Sequence, residues 1–563
     1  MPQPIYGNQV GSETLRAGKV LTVSVNAGSG AIVEQLINGL KVAGSDITSS
    51  TAFGPYLDDT VLCVSAKAGA TVTIGDPVDQ AAQRPSDAKV AAVDSLVSGA
   101  GIFANRAVLF GDSITKYNNA IVSNANANQS RGYMTWANIL LGRRRLDVVA
   151  NLGIGGDTTT QMLARVSTAA DVQAPWAVVL GGTNDLAGNL AAPGVVTDNL
   201  RQIYEALRAS GKRVIAITVL PVTAAHPLFS RGLMARIQQV NRWIKRYCAA
   251  TPGMIVVDGA AAVTDPASSD SVPASGYYAD ATHPGTLGAY YVGKFLADAV
   301  RELLPPLDEG PSSVGDSYLA ARRTLTSLTG DGTTATATLA AHNLLPGDAV
   351  TIEGATPAGY NGSWIVAAAP TTGTFTFACT AASGAATGTI YVSNNDQMLD
   401  NPLFGTPSAG LASSWTKTDS STTATTTNAA RADGLSNAQQ LEITASAAGN
   451  SMLQGGDLFT RVFPGDVLVF EAEVEVDAGH AALEGIQANL NMIIGGVTYT
   501  PTAMQRLSGS AMPPGAWSGL IRTEPFVVPA GAITRCRPQL YAFFSGAGAA
   551  TVRFSRAALR KVR

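Results

Sequence analysis

Short runs in which apolar and polar residues alternate open the chain, as in Val20-Leu-Thr-Val-Ser-Val25 and Ala70-Thr-Val-Thr-Ile74. A period of two sends successive side chains to opposite faces, so residues 1–82 are expected to form a small antiparallel β domain, an accessory or attachment element. Residues 83–101, with Pro85, read as a connector. From residue 102 the pattern changes to unbroken apolar runs, Ala107-Val-Leu-Phe110, Trp176-Ala-Val-Val-Leu180 and Val214-Ile-Ala-Ile-Thr-Val-Leu220. Such runs suit strands buried on both faces. Between them, amphipathic stretches at 197–210, 232–250 and 285–304 predict helices. Strands alternating with helices of this length predict a layered α/β domain over 102–305. Pro305-Pro306 stops the last helix, and 306–322 reads as a linker. The period of two then returns. Val350-Thr-Ile352, Trp364-Ile-Val366 and Thr374-Phe-Thr-Phe377 mark a small β domain at 323–394. Asp466–Val474 and Thr551–Ser555 are strand candidates in a β-sandwich or jelly roll at 397–563. The Thr/Ser-rich stretch 416–428 reads as an exposed loop or edge.

Composition changes the picture in two ways. At 563 residues the chain needs several cores, about three or four by length alone. Hydrophobic residues are 46% and charged ones only 14%, which fits an extracellular β-rich scaffold better than a cytosolic enzyme. The net charge of −3, without a long basic run, argues against nucleic acid as a partner. Arg143–Arg145 reads as a solvated cluster at a helix end. No apolar stretch approaches the roughly 18 residues of a membrane span, so no membrane insertion is expected. Cys63, Cys248, Cys379 and Cys536 fall in four different segments, which favours free thiols. The first residues lack the basic and apolar pattern of an export signal. An extracellular chain without one needs another route out of the cell, such as release in a phage particle.

Four short stretches carry chemistry: Gly-Asp-Ser at 111–113, Gly-Gly-Asp-Thr at 155–158, Gly-Thr-Asn-Asp at 182–185 and Asp-Ala-Thr-His at 280–283. Ser113 follows a buried strand on a turn that opens toward a helix, so its hydroxyl and N–H are expected at a strand's carboxyl end. As a lone residue it would be a helix cap. His283 sits in Asp-x-x-His, where a neutral imidazole can take the serine proton and Asp280 can hold the ring's tautomer. Asn184 either caps the next helix or presents its amide to a developing oxyanion. Asp112, Asp157 and Asp185 read as acceptors that brace these loops. Scattered histidines and the lack of a carboxylate cluster argue against a metal, and no cofactor is expected. His226 reads as solvent-exposed. Trp415, Trp517, Tyr541, Phe543 and Phe544 are candidates for stacking on sugars, most of them expected in the core.

In these motifs, over roughly residues 102–305, the chain resembles the SGNH/GDSL hydrolase superfamily. The resemblance implies a three-layer, flavodoxin-like α/β domain flanked by β-rich domains. It implies Ser113, His283 and Asp280 as the catalytic set. It also implies an oxyanion hole from the N–H groups of Ser113 and Gly156 (favoured over Gly153 or Gly155) and the Asn184 amide. The small β domain at 323–394 is similar to modules of phage tail proteins, and 397–563 looks like a carbohydrate-binding jelly roll. Together these imply a serine esterase that removes O-acetyl groups from a bacterial surface polysaccharide. It would be carried in a virion tail as a homotrimer, with tail or baseplate components as partners. The alternatives are a secreted bacterial acyl or lipid esterase with accessory β modules, and a non-enzymatic tail adhesin that uses the hydrolase as scaffold. Because all four motifs lie between 111 and 283, a fragment of about 85–310 is expected to hydrolyse small acetyl esters by itself.

Overall fold

The computed structural model describes residues 105–304 apart from 143–145, residues 322–561 apart from 395–396 and 433–435, and most of 4–79. The connector at 83–101, the Arg143–Arg145 cluster, Pro305-Pro306 and the linker up to residue 321 lie outside the described residues. The chain divides into two compact units, Met1–Ile102 and Phe103–Arg563.

Among the described residues every strand pairing of the first unit is antiparallel. One sheet runs in the order Pro4–Tyr6, Thr71–Ile74, Lys19–Ala27, Thr51–Phe53, and the other Val10–Leu15, Thr60–Ala66, Ala31–Ile37, Leu40–Ile47. Val23, Val33, Leu62, Val64 and Val72 form its core.

The second unit begins with a parallel five-stranded sheet of β1 (Arg106–Gly111), β4 (Asp147–Gly153), β5 (Trp176–Leu180), β6 (Arg213–Ile217) and β7 (Met254–Val257). Its spatial order is β4-β1-β5-β6-β7, the doubly wound arrangement whose order reverses beside the first strand. The unbroken apolar runs are explained by burial on both faces. Val108 and Phe110 join one core with residues of α5 (Pro193–Ala209) and α6 (Arg231–Ala250). Ala107 and Leu109 join another with α2 (Tyr133–Leu140) and α8 (Thr286–Val300).

One element of this region was not legible in the apolar pattern. After α1 (Ser113–Lys116), β2 (Asn119–Val122) and β3 (Ala125–Gln129) form a hairpin turned by Ser123 and Asn124, both at positive φ. Ser-Asn at such a turn is the available signal. The hairpin is polar because it packs on no core of its own. Instead β3 pairs in parallel with β12 (Thr502–Gln505), through Ala127 with Thr502 and Gln129 with Gln505.

It thereby becomes the edge of a twelve-stranded sheet that wraps the C-terminal region. The other main strands are β8 (Trp415–Ala430), β9 (Asn437–Gly455), β10 (Val467–Val476), β11 (Leu483–Ile494), β13 (Trp517–Arg522), β14 (Ile533–Phe544) and β15 (Gly548–Lys561). β9 pairs with β15 over 438–445 and with β14 over 449–454, so one long strand joins two parts of the sheet. Alternation along β14 sends Leu540, Ala542 and Phe544 inward, and leaves Tyr541 and Phe543 stacked at 5.1 Å on the outer face. Trp415, Trp517 and Phe544 are core residues. The Thr/Ser stretch is an edge strand, the second of its two expected forms, since among the described residues β8 pairs only with β9.

Between the α/β region and this sheet, residues 323–393 form an eight-stranded antiparallel sheet around Leu328, Val350, Ile352, Phe375 and Phe377. Lys561 ties it to the C-terminal β region, donating to Thr351 and Ser363 while pairing with Asp466.

The α/β region and the C-terminal β region also share side chains. Trp136 meets Trp517 edge to face at 5.1 Å, and Trp136, Ile139 and Ala289 belong to the core of the C-terminal β region. An added Cβ at Gly519 would stand 2.3 Å from the Ile139 carbonyl oxygen, so the two regions touch backbone to backbone. The expectation that residues 85–310 act alone is therefore revised. That fragment would expose an indole that is 0% exposed in the whole chain, together with an unpaired strand edge.

Candidate active site

The site is assembled at the carboxyl ends of β1, β4 and β5, where the strand order reverses, and is completed by the loop before α8. At the end of β1, Gly111 is required by space, since a Cβ would lie 2.3 Å from both the Leu180 carbonyl oxygen and Thr115 Oγ1. Asp112 caps α1 by accepting from the Ile114 N–H at 2.9 Å. Ser113, next along, is buried but for 9% of its surface.

Ser113 Oγ lies 2.8 Å from His283 Nε2, although 170 residues separate them. His283 Nδ1 lies 2.9 Å from Asp280 Oδ2, and the N–H groups of Thr282 and His283 each donate to Asp280 Oδ1 at 2.8 Å. Partial burial raises the Asp280 carboxyl. The Thr282 and His283 N–H groups and the His283 ring outweigh that and hold it below its ordinary range, so it stays ionised. The structure thus brings Ser113, His283 and Asp280 into one hydrogen-bonded row. Such a row can move a proton off Ser113 and stabilise the imidazolium that results.

The loop after β4 passes beside the serine. A Cβ on Gly155 would come within 4.0 Å of Ser113 Cβ, while Gly156, at φ +84°, faces open space. Asn184 starts a short π-helical turn, Asn184–Gly188, and donates from Nδ2 to the Asp157 carbonyl oxygen at 2.9 Å. That bond orients the amide. Helix capping is not its task here.

The neighbouring carboxylates brace the loops. Asp157 pairs with Arg165 at 2.7 Å, whose guanidinium also donates to the Leu152 and Gly111 carbonyls. Asp185 accepts from Thr159 N and Oγ1. His226 is half-buried, and its Nδ1 accepts from Leu228 N. Residues not singled out by sequence reasoning also border the site. Tyr117 meets the His283 ring edge to face at 5.1 Å, and the Arg131 guanidinium lies 3.6 Å over Tyr117. Neither belongs to a motif, and only the hairpin brings Arg131 back to α1. Among the described residues no group of three potential ligand side chains could hold a metal ion, and no helix is long and apolar enough to cross a membrane.

Asp112 makes one prediction. Burial pushes its carboxyl up to about 7, with Asp185 and Asp157 adding to the rise against the Ile114 N–H. A raised carboxyl contributes stability that is intact below its unfolded value of 3.8 and is lost as pH rises through about 7. Asp112→Asn keeps an acceptor for Ile114 and removes the charge. Its Tm relative to the parent should therefore increase from about pH 5 to about pH 8, by the equivalent of up to about 3 kcal/mol. Parallel Tm-against-pH curves for the two proteins would overturn this.

A serine, histidine and aspartate in hydrogen-bonded order at the strand ends of a doubly wound sheet define a serine hydrolase type of site. Residues 109–290 match the GDSL-like lipase/acylhydrolase family, so this stretch is a GDSL-type hydrolase domain occupying about a third of the chain. Solved structures similar to the chain include a lipase/acylhydrolase from Enterococcus faecalis, 20% identical over 36% of this chain and 98% of its own, with a TM-score of 0.28. A GDSL-like lipase from Bacteroides thetaiotaomicron is 19% identical over 38% of this chain and 98% of its own, with a TM-score of 0.28. A catalytic mutant of an acetylxylan esterase from Geobacillus stearothermophilus is 16% identical over 35% and 94%, with a TM-score of 0.29. A comparison with curated proteins gave no match.

Proposed function

We propose that this protein is a serine esterase that removes O-acetyl groups from a bacterial surface polysaccharide. The observation that carries the reading is the row Ser113–His283–Asp280, with contacts of 2.8 and 2.9 Å. In this reading Ser113 Oγ attacks the acyl carbonyl and passes its proton to His283 Nε2. Asp280 accepts from the Nδ1–H and stabilises the charged ring. The N–H groups of Ser113 and Gly156 and the second N–H of Asn184 receive the oxyanion. His283 then protonates the departing sugar alkoxide, which leaves as the hydroxyl, and water attacks the acetyl-serine by the same route, releasing acetate and restoring Ser113.

The glycan and its setting rest on the β regions. Their resemblance to phage tail modules and to carbohydrate-binding jelly rolls supports a virion tail protein, trimeric, held by tail or baseplate components and acting outside the host cell. A match of residues 109–290 to an acylhydrolase family supports the chemistry. The decisive experiment is mass spectrometry of acetate released from purified surface glycans of candidate hosts, beside p-nitrophenyl acetate turnover. Small-ester turnover without acetate release from any glycan would retain the esterase and reject the polysaccharide.

Asp280→Asn should lower kcat on p-nitrophenyl acetate by about 10³- to 10⁴-fold, because the ring loses tautomer control and its counter-charge. KM should change little. A loss of less than about tenfold would remove Asp280 from the catalytic row.

A further inference from the structure

We propose that Ser510, in the C-terminal β region, is a positioning residue for His283. This rests on the esterase reading above. Only Pro284 and Gly285 separate His283 from α8, and the first N–H groups of a helix need acceptors from outside it. Gly285 occupies the cap position and has no side chain to offer. The acceptor comes instead from 224 residues away, since Thr286 N donates to Ser510 Oγ at 2.8 Å. A Cβ on Gly285 would stand 2.8 Å from that same oxygen, so the glycine leaves the room that Ser510 fills.

The segment that carries Ser510 is fixed to the hydrolase region at a second point. Ser130, just after β3, contacts Thr286 Oγ1 through its Oγ at 2.9 Å. The same Oγ accepts from Leu507 N at 3.1 Å, and Ser130 N donates to the Gln505 carbonyl. Ser510 N donates in turn to the Leu507 carbonyl at 3.2 Å. Ser130 and Thr286 are both 0% exposed, so these bonds are shielded from water.

On its other side the histidine turn is tied by Ala279 N to the His283 carbonyl, and by Gly285 N to the Tyr277 carbonyl. The Ser510 cap, beside the Ser130–Thr286 contact, fixes the start of α8 against the hairpin following Ser113. Without it the first turn loosens and the imbalance falls on the Ser113–His283 contact, where small displacements cost rate steeply.

The test uses the full chain with Ser510→Ala and Ser510→Thr, the second keeping a hydroxyl acceptor. At a temperature where circular dichroism shows every variant folded, Ser510→Ala should lower kcat on p-nitrophenyl acetate by about 2- to 30-fold. KM should stay within about twofold, the mark of a loss confined to the transition state. Ser510→Thr should restore most of the rate. A second readout does not depend on turnover. The chain has four histidines, so ¹⁵N-histidine spectra can be assigned with His283→Gln. The His283 ring signals should shift in Ser510→Ala and return in Ser510→Thr. Unchanged kcat with an unshifted His283 signal would overturn the proposal, as would equal impairment by alanine and threonine. If the parent turns over no ester, the esterase reading fails by itself and the His283 spectrum decides the role of Ser510.

Discussion

Ser113→Ala is expected to lower kcat on p-nitrophenyl acetate by at least about 10⁴-fold, the scale on which losing the nucleophile of such a row removes catalysis. The fold should be untouched. The hydroxyl's contact is with His283 Nε2, while the cap of α1 belongs to Asp112. No apolar volume is lost, so no cavity forms. The melting temperature should stay within a few degrees of the parent, and acetate release from glycan should fall in parallel with small-ester turnover. Residual activity within about tenfold of the parent would assign the hydrolysis to another group and dismantle the proposed mechanism.

The second large effect concerns removal of everything after about residue 310. The shortened chain should lose small-ester hydrolysis as well as action on polysaccharide, and should melt far below the parent or fail to fold. Trp136 and Ile139, 0% and 3% exposed in the whole chain, would lie against water. Stripping the packing from two such side chains costs several kcal/mol, against a total domain stability of about 5–15 kcal/mol. β3 would lose its partner strand, and α8 would lose the Ser510 cap. A shortened chain that keeps the parent's kcat on p-nitrophenyl acetate and melts within about 5 °C of its hydrolase transition would contradict this. It would return the C-terminal region to a purely targeting role.

The two effects differ in how far the chain's letters announce them. Ser113 and Asn184 stand in short motifs that follow strands, and the Asp280–His283 pair in one on the loop before α8, because the chemistry needs particular side chains on particular turns. Asp280 and His283 are three residues apart, so one turn suffices to join them. The dependence on the C-terminal region has no such motif. The hairpin residues Asn119–Gln129 are mostly polar or small, apart from Ile121 and Val122, and Ser510 is one serine among many. Their importance comes from partners 224 to 394 residues away.

From the sequence alone came the parallel strands with their apolar runs, the helices between them, the return of a two-residue period after residue 322, and the candidate site residues. Each is a local property, since strand and helix periods and turn chemistry act over a few neighbouring residues. Only the tertiary structure decided that the hydrolase hairpin joins the C-terminal sheet, that Tyr117 and Arg131 border the histidine, that Asn184 is oriented by Asp157, and that the helix after His283 is capped from the far end of the chain. Strand pairing and hydrogen bonding use backbone groups and hydroxyls that nearly every residue or many serines possess. Which of them meet is settled by the packing of whole layers, and that packing leaves no pattern in the neighbouring letters.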